Sequence, residues 1–288
     1  MNSISLLAVT SSPMFAALWY DALSELAGSW GYVAFFALLG AILGSFSGVL
    51  VSRVPAGEPI THRSRCDTCN TPVAAWQNIP LMSYLIQRGR CPHCKARIPL
   101  WVWGIEVISA AGWGLGAWLT GDLLSGLAFG FVVTFAVVLG GIDWKTTYIY
   151  WGPYFSWGAL AWAATIAWGA INDTWDAVLN GVAWGFGSAF ALWGINWLYK
   201  LIRKRDGLGY GDGLLVLVSV GVPAALTGTW IVPLYGLYAG FVLASIWGVA
   251  ATRDSGQGGA AEFALGPYLM AGPILAWAAL ALSGWLAW

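Results

Sequence analysis

Long apolar stretches separated by short polar ones dominate the pattern of this chain. Runs near 20 residues with few or no charges recur from residue 30 onward, and a run of about 20 apolar residues is what an α-helix needs to cross a bilayer. The pattern therefore predicts an all-α polytopic membrane protein with about eight transmembrane helices. The predicted spans are 30–52, 101–120, 123–142, 150–170, 177–199, 213–230, 231–251 and 267–287.

The segments around these spans divide the chain into four regions. Residues 1–29 are moderately apolar and carry no basic residue. A cleaved signal peptide needs a basic start, so we expect a retained segment on the outer face. Residues 30–52 form the first span, 53–100 the one long polar insertion, and 101–288 a core of seven helices.

Composition supports a membrane location. The chain is 59% hydrophobic and 9% charged, whereas soluble domains carry about 25% charged residues. Its 21 tryptophans and 38 glycines fit this reading, because Trp favours the lipid–water interface and Gly lets membrane helices approach closely. The formal net charge is zero, and we expect the bilayer, with no nucleic acid, as a partner.

The positions of the basic residues predict the orientation. All 13 Lys and Arg residues fall on one side of the eight-span topology, and seven lie between Arg53 and Arg97. The positive-inside rule assigns that side to the cytoplasm. We therefore expect an outside N-terminus and a cytoplasmic insertion.

The four cysteines form two short pairs within the insertion, Cys66-Asp-Thr-Cys69 and Cys91-Pro-His-Cys94. Two such pairs can complete a tetrahedral shell of four sulfurs around zinc. A region of this size buries little apolar surface, so a metal would supply folding energy. Disulfides or free thiols are the alternatives, although disulfides rarely persist in the cytoplasm. We predict a structural zinc, with His93 as a bystander.

Two aspartates mark the candidate active site. Asp143 directly follows an apolar run, and Asp212 ends the sequence Gly209-Tyr210-Gly211-Asp212; both lie at cytoplasmic ends of predicted spans. Peptide hydrolysis without a metal needs one group to deprotonate water and another to protonate the substrate. Two close carboxyl groups share a proton and can divide these roles. The two glycines would let the backbone approach a substrate or start a helix from an unusual conformation. Alternatively, each aspartate is simply a solvated helix end.

Glu106 is the one ionisable residue well inside a predicted span. Such a residue is costly in a membrane and often marks a site or a partner. Its side chain could instead extend to the nearby interface. An arginine of the insertion is the expected partner.

An ordered series of motifs resembles the type IV prepilin peptidases, the bifunctional leader peptidases and N-methyltransferases that process pilins and type II secretion pseudopilins. The resemblance covers most of the chain from about Gly31. It rests on Gly44-Ser45-Phe46, Arg53, Pro55, Arg63-Ser64, the four cysteines, Asn78-Ile79-Pro80, Ser83-Tyr84, Arg88-Gly89-Arg90, Glu106, Asp143, Gly209-Tyr210-Gly211-Asp212 and Gly266-Pro267-Tyr268.

The resemblance implies a reaction in the bacterial inner membrane. The enzyme would cut a short basic leader from a prepilin on the cytoplasmic side, typically after glycine, and methylate the new N-terminus with S-adenosylmethionine. Asp143 and Asp212 match the family's catalytic aspartates. Methyl transfer is tied to the inserted region Arg53–Pro99, where Arg53, Arg88 and Arg90, together with Glu106 of the second span, are candidates for a methyl-transfer or structural role.

Three positions depart from the family pattern. Leu214 stands where a lysine is usual, Tyr150 where a proline is usual, and Gly48 where an asparagine is usual. Leu214 changes the charge expected at the site, and Gly48 affects the insertion or the helix beside it. Both candidate catalytic aspartates are still present. Two other functions stay open: a peptidase without methyl transfer, and a proton-coupled transporter or scaffold.

Overall fold

A computed structural model describes residues 29–204, 207–255 and 264–283, with the backbone alone for 249–255. Regular structure in these residues is helical apart from two isolated β-bridges. The predicted all-α class is confirmed. Residues 1–28 of the expected outer-face segment lie outside the described residues. The α-helices are α1 Trp30–Ala56, α2 Met82–Ile86, α3 Leu100–Thr120, α4 Leu123–Thr146, α5 Trp151–Ile171, α6 Trp175–Arg203, α7 Tyr210–Ser219, α8 Gly221–Thr227, α9 Ile231–Ser255 and α10 Gly266–Leu282.

Six helical segments in the described part of the chain are long and apolar enough to cross a membrane. They are α1, α3, α4, α6, the continuous α7–α8 unit and α9 as far as Gly248. The two remaining predicted spans correspond to α5, which is rich in Trp and has 21 residues, and to α10, with 17 residues. The architecture is that of a multi-pass membrane protein.

Helix α4 lies at the centre of the bundle. In its most apolar stretch 67% of the residues are buried, compared with 39% for α1 and 28% for α9. Its Phe129 packs edge-on against Trp277 of α10, with ring centroids 4.2 Å apart. Trp113 of α3 donates a hydrogen bond to Thr134 of α4 at 2.9 Å. The helix that carries Asp143 is therefore held on several sides.

Small residues let two helix pairs cross closely. A Cβ atom on Gly44 of α1 would lie 2.8 Å from the Cβ of Ser109 in α3. A Cβ atom on Gly221 of α8 would lie 3.0 Å from the carbonyl oxygen of Gly181 in α6. Close approach of this kind is typical of membrane helices. The first crossing brings the two ends of the insertion together, and the second fixes α7–α8 against α6.

The candidate residues gather at one end of the bundle, which we call the carboxylate end. Helices α4 and α6 end there, and α5, α7 and α10 begin there. The Nζ atom of Lys145 donates to the carbonyl of Val51 at 3.4 Å and lies 4.2 Å from the centroid of the Trp101 ring. This contact places the insertion at the same end, because α1 leads into it and α3 leaves it.

Candidate active site and metal centre

Asp143 lies in the last turn of the central helix α4. Its side chain is buried, with 8% of the residue exposed, and its Oδ2 accepts a hydrogen bond from the backbone amide of Gly266 at 3.1 Å. A Cβ atom on Gly266 would lie 2.7 Å from this Oδ2 and 2.7 Å from Cδ1 of Leu215. Only glycine fits here without a shift, so α10 begins in contact with both α4 and α7.

Asp212 is the third residue of α7. Its Oδ2 accepts a hydrogen bond from the backbone amide of Gly209 at 3.1 Å, and a carboxylate in the first turn is favoured by the free amides of a helix start. Neither Asp143 nor Asp212 has a hydrogen bond to Oδ1 within the described residues. Each carboxyl group is therefore fixed through one oxygen, and its second oxygen makes no hydrogen bond within these residues.

The structure brings the two predicted aspartates together. Gly266, whose amide donates to Asp143, also lies beside Leu215, three residues after Asp212 in α7. The segment after Asp143 also contacts the start of α7, since a Cβ atom on Gly211 would lie 2.6 Å from Cδ1 of Ile149. The Tyr154 hydroxyl donates to the carbonyl of Leu214 at 3.1 Å. Residues almost 70 positions apart in sequence thus form one site.

Two residues of α6 hold the loop before Asp212. The Oδ1 of Asn196 accepts hydrogen bonds from the amides of Gly207 and Leu208, both at 2.9 Å. The indole Nε1 of Trp193 donates to the carbonyl of Tyr210 at 3.0 Å. The sequence pattern predicted a role for neither residue. Asn196 is 2% exposed, and an asparagine within an apolar span is the signal that could have identified it.

The backbone conformation at Gly209 and Gly211, the two glycines before Asp212, is ordinary. Gly209 has φ −68° and ψ 141°, which any residue adopts, and Gly211 is helical. Of the two roles expected for these glycines, the start of a helix from an unusual conformation is therefore wrong, and the approach of the backbone to a substrate stays a prediction. Gly211 lies so close to Ile149 that a side chain at this position would clash. Tyr210 is 65% exposed.

The three departures from the family pattern have identifiable surroundings. Leu214 packs against the apolar core, where a lysine would place a charge. Tyr150 precedes α5 in an extended conformation. Gly48 is buried in α1, yet a Cβ atom there would meet nothing within 4 Å.

The four cysteines form a compact cluster. Their sulfur atoms all lie within 4.8 Å of one another, with 3.8 Å between Cys66 and Cys94 and 4.0 Å between Cys69 and Cys91. A tetrahedron with metal–sulfur bonds of about 2.3 Å has edges of about 3.8 Å. All four thiols are free, and together they could hold a metal ion.

Each cysteine pair sits on the same kind of turn. The amide of Asn70 donates to the carbonyl of Cys66 at 2.9 Å, and that of Lys95 to Cys91 at 3.0 Å. Asn70 and Lys95 both have positive φ, 54° and 60°. Hydrogen bonds with the side chain and backbone of Thr71 lower the pKa of the Cys69 thiol to about 6, which favours the thiolate that a metal needs. Burial and hydrogen bonds to the other thiols raise the pKa of the Cys94 thiol to about 11, so one cysteine of the cluster favours the thiolate and another favours the thiol.

Glu106 has a different partner from the expected arginine. Its carboxylate is buried in α3, with 8% of the residue exposed, and Oε2 accepts a hydrogen bond from the backbone amide of Leu81 at 2.7 Å. Leu81 has φ 64°. The described residues contain no ion pair between Glu106 and an arginine, because the insertion turns its backbone toward α3 instead.

The predicted arginines have backbone roles. The Arg53 guanidinium donates to four backbone carbonyls at the start of the insertion, those of Pro59, Ile60, His62 and Arg63. Arg88 has φ 53° in the turn before the second cysteine pair. Arg90 and Arg97, on either side of that pair, form an isolated antiparallel β-bridge. Arg53 also belongs to α1, which continues to Ala56, beyond the predicted end of the first span.

Comparisons with known proteins agree with this architecture. Residues 38–120 match the family model described as bacterial peptidase A24 N-terminal domain. Proteins named prepilin leader peptidase/N-methyltransferase are similar over most of the chain: that of Burkholderia pseudomallei is 31% identical over 83% of each chain, that of Neisseria gonorrhoeae 30% over 87% of each, and that of Pseudomonas aeruginosa 29% over 87% of each. No solved structure matches significantly.

These similarities extend across α1, the insertion and the helices that carry both aspartates, and the identity reaches 31% over 272 residues. The chain therefore belongs to the prepilin leader peptidase/N-methyltransferase family.

Proposed function

We propose that this protein removes the leader peptide of type IV prepilins or pseudopilins at the cytoplasmic face of the inner membrane, with Asp143 and Asp212 as the catalytic pair. One observation carries the proposal. Two carboxyl groups from distant segments lie at the same end of the bundle, each fixed by a backbone amide, and Gly266 packs against both Asp143 and Leu215 of the helix that carries Asp212. The basic residues of the sequence favour the cytoplasm for that end.

The chemistry follows from the shared environment of the two groups. Two close carboxyl groups ionise one at a time, so one is charged while the other keeps its proton. The charged group removes a proton from water, which attacks the scissile carbonyl carbon. The protonated group gives its proton to the carbonyl oxygen, and the peptide nitrogen leaves as the new amine after a second proton transfer.

The same proposal assigns a structural zinc to the cysteine cluster. Four thiolates satisfy a tetrahedral zinc ion and leave no position for water. Zinc would thus fold the insertion and take no part in hydrolysis. The Cys66–Cys94 and Cys69–Cys91 spacings support this fit.

Methyl transfer to the new N-terminus is the second proposed activity. Its support is the printed name of the relatives together with the matched N-terminal region. When bound, S-adenosylmethionine would supply the methyl group. The residues of this protein would hold S-adenosylmethionine near the amine that is released at the carboxylate end.

The decisive experiment measures cleavage of a prepilin by purified protein in detergent. We expect Asp143→Asn and Asp212→Asn each to lower the rate by about 10²- to 10⁴-fold, the usual contribution of a general acid or base. Asp173→Asn is the matched control. Asp173 lies in the turn between α5 and α6 with φ 54°, a conformation that asparagine also adopts, so its rate should not change.

Near-normal cleavage by either amide variant at the active site would show that the proposed mechanism is wrong. Mass spectrometry of the processed pilin tests the second activity. The methylating enzyme gives a product heavier by one methyl group, whereas a peptidase alone does not.

A further inference from the structure

A cavity of about 660 Å³ lies between α1, α3 and the insertion. Sites for small molecules usually measure about 300–1,000 Å³. Neither Asp143 nor Asp212 lines this cavity, so it is separate from the carboxylate pair. We propose, as an extension of the methyl-transfer half of the proposed function, that this cavity is the binding site for S-adenosylmethionine, with Glu106 facing the sulfonium charge.

The first reason is a buried carboxyl group. Glu106 lines the cavity and is 8% exposed. Its single hydrogen bond in the described residues comes from the Leu81 amide to Oε2, and Oε1 has none. A buried carboxylate away from water is costly unless a cation or further donors reach it. A ligand with a positive charge satisfies this need.

The second reason is an aromatic pair in the wall of the same cavity. Tyr84 and Trp103 both line the cavity, and their rings stack with centroids 5.7 Å apart and planes 24° from parallel. The indole Nε1 of Trp103 is buried without an acceptor in the described residues. Aromatic faces attract sulfonium-type cations and planar heterocycles, and the free indole N–H can donate to an acceptor on the ligand.

The third reason is the basic part of the wall. Arg63 and Arg97, together with His62 and His93, also line the cavity. An amino acid carboxylate binds such groups through charge-assisted hydrogen bonds. A carboxylate, a heterocycle and a positive sulfur occur together in S-adenosylmethionine.

The fourth reason is the position of the cavity relative to the aspartates. Ser52 and Arg53 of α1 line the cavity, and the adjacent Val51 packs against α4, where a Cβ atom on Gly141 would lie 2.7 Å from its Cγ2. Gly141 is two residues before Asp143. An amine released at the carboxylate pair therefore lies at the same end of the bundle as the proposed donor.

The test measures binding by the purified, full-length protein with calorimetry, using S-adenosylmethionine and S-adenosylhomocysteine as the probes. Glu106→Gln keeps an oxygen that can accept from the Leu81 amide but removes the charge. We expect its affinity for S-adenosylmethionine to fall by about tenfold or more, as for loss of a charged partner. The affinity for S-adenosylhomocysteine, which lacks the sulfonium charge, should change much less.

A second variant tests the location without altering charge. Gly48 faces the cavity, and a Cβ atom there meets nothing within 4 Å, so Gly48→Leu should fill the space and abolish binding of both probes. The matched control is Gly187→Leu in α6, which also has nothing within 4 Å and does not line the cavity. It should bind and cleave as the wild type does.

Several results would overturn the inference. These are no binding of either probe by the wild type, unchanged binding by Gly48→Leu, or equal loss of both probes in Glu106→Gln. Retention of a phospholipid by the wild type but not by Gly48→Leu, without binding of either probe, would assign the cavity to an anionic lipid instead. Prepilin cleavage, measured on the same wild-type preparation, separates the two proposals. Cleavage without binding of S-adenosylmethionine contradicts only the proposed binding site. Binding of S-adenosylmethionine without cleavage contradicts only the proposed catalytic pair.

Discussion

The carboxylate pair and the cysteine insertion lie at one end of the molecule but are held together by different forces. Asp143 and Asp212 sit on helices with buried apolar faces, and backbone amides fix their side chains. The insertion between α1 and α3 has one buried hydrophobic residue, Cys91, among its described residues. It depends on turns, a few hydrogen bonds and four sulfur atoms that converge on one point.

One chain thus positions its side chains in two ways, by helix packing around the aspartates and by convergence of four cysteines in the insertion. Tight helix packing restricts the aspartates, so small steric changes there should affect the reaction more than the fold. A metal would organise the insertion, so its loss should affect the fold of that region more than the bundle.

The largest expected effect is removal of the metal. Cys66→Ser combined with Cys91→Ser, or a strong chelator, should unfold the insertion, because little apolar surface is left to hold it. Limited proteolysis should then cut within residues 57–99, while circular dichroism retains the helical signal of the bundle. His93→Gln is the control, since His93 lies within the second cysteine pair but is not among the four clustered residues.

Metal analysis completes this test. Wild-type protein prepared without chelators should contain about one zinc per chain. A stoichiometry near zero in the wild type contradicts the assigned ligands. So does a loss of metal in His93→Gln as large as that in the double cysteine variant.

The next effect is steric and confined to the carboxylate end. Gly266→Ala places a methyl group 2.7 Å from Oδ2 of Asp143 and 2.7 Å from Cδ1 of Leu215. The carboxyl group must shift, and a shift of about 1 Å in a catalytic group can cost about 10²-fold in rate. Gly152→Ala is the control, because a Cβ atom on Gly152 at the start of α5 meets nothing within 4 Å.

Prepilin cleavage and thermal unfolding should be measured together for these two variants. We expect Gly266→Ala to lose most of its rate with a small change in the unfolding temperature. Equal rates for the two variants would show that the contact with Gly266 does not position Asp143.

A smaller effect is expected at the loop before Asp212. Asn196→Leu removes the acceptor for the amides of Gly207 and Leu208, and each buried donor left without a partner costs about 1–3 kcal/mol. Amide hydrogen exchange at residues 207–212 should speed up, and cleavage should slow. Asn196→Asp keeps an acceptor and should perturb exchange less.

Asn172→Leu serves as the comparison for that variant. Asn172 is exposed at the far end of α5 and makes a local hydrogen bond to Trp168. Faster exchange at residues 207–212 in Asn172→Leu as well would indicate a general loss of stability in place of a specific role for Asn196.

The smallest effect is expected from the ion pair within the insertion. Arg65 and Glu58 lie 3.3 Å apart with their side chains about half exposed, and such pairs contribute about 0–1 kcal/mol. Arg65→Ala should therefore leave proteolysis of the insertion nearly unchanged. Arg53→Ala should increase it, because Arg53 donates to four carbonyls. The reverse order would contradict this assignment.

The two regions also differ in how far sequence could predict them. Spacing alone identified Cys66, Cys69, Cys91 and Cys94 as one cluster, since each pair is local and only the two pairs must meet. Asp143 and Asp212 were located at helix ends, but nothing local specified their distance. Asn196 was missed because its partners, Gly207 and Leu208, lie across a loop whose path depends on the packing of α6 against α8.

Sequence by itself determined the all-helical, membrane-spanning class, since apolar length and the spacing of charges are properties of the linear chain. Tertiary structure alone decided that Glu106 binds the Leu81 amide instead of an arginine, that Gly266 contacts Asp143, and that a cavity opens beside Gly48. Each of these depends on close crossings of helices far apart in sequence, and a linear pattern does not specify how two packed surfaces meet.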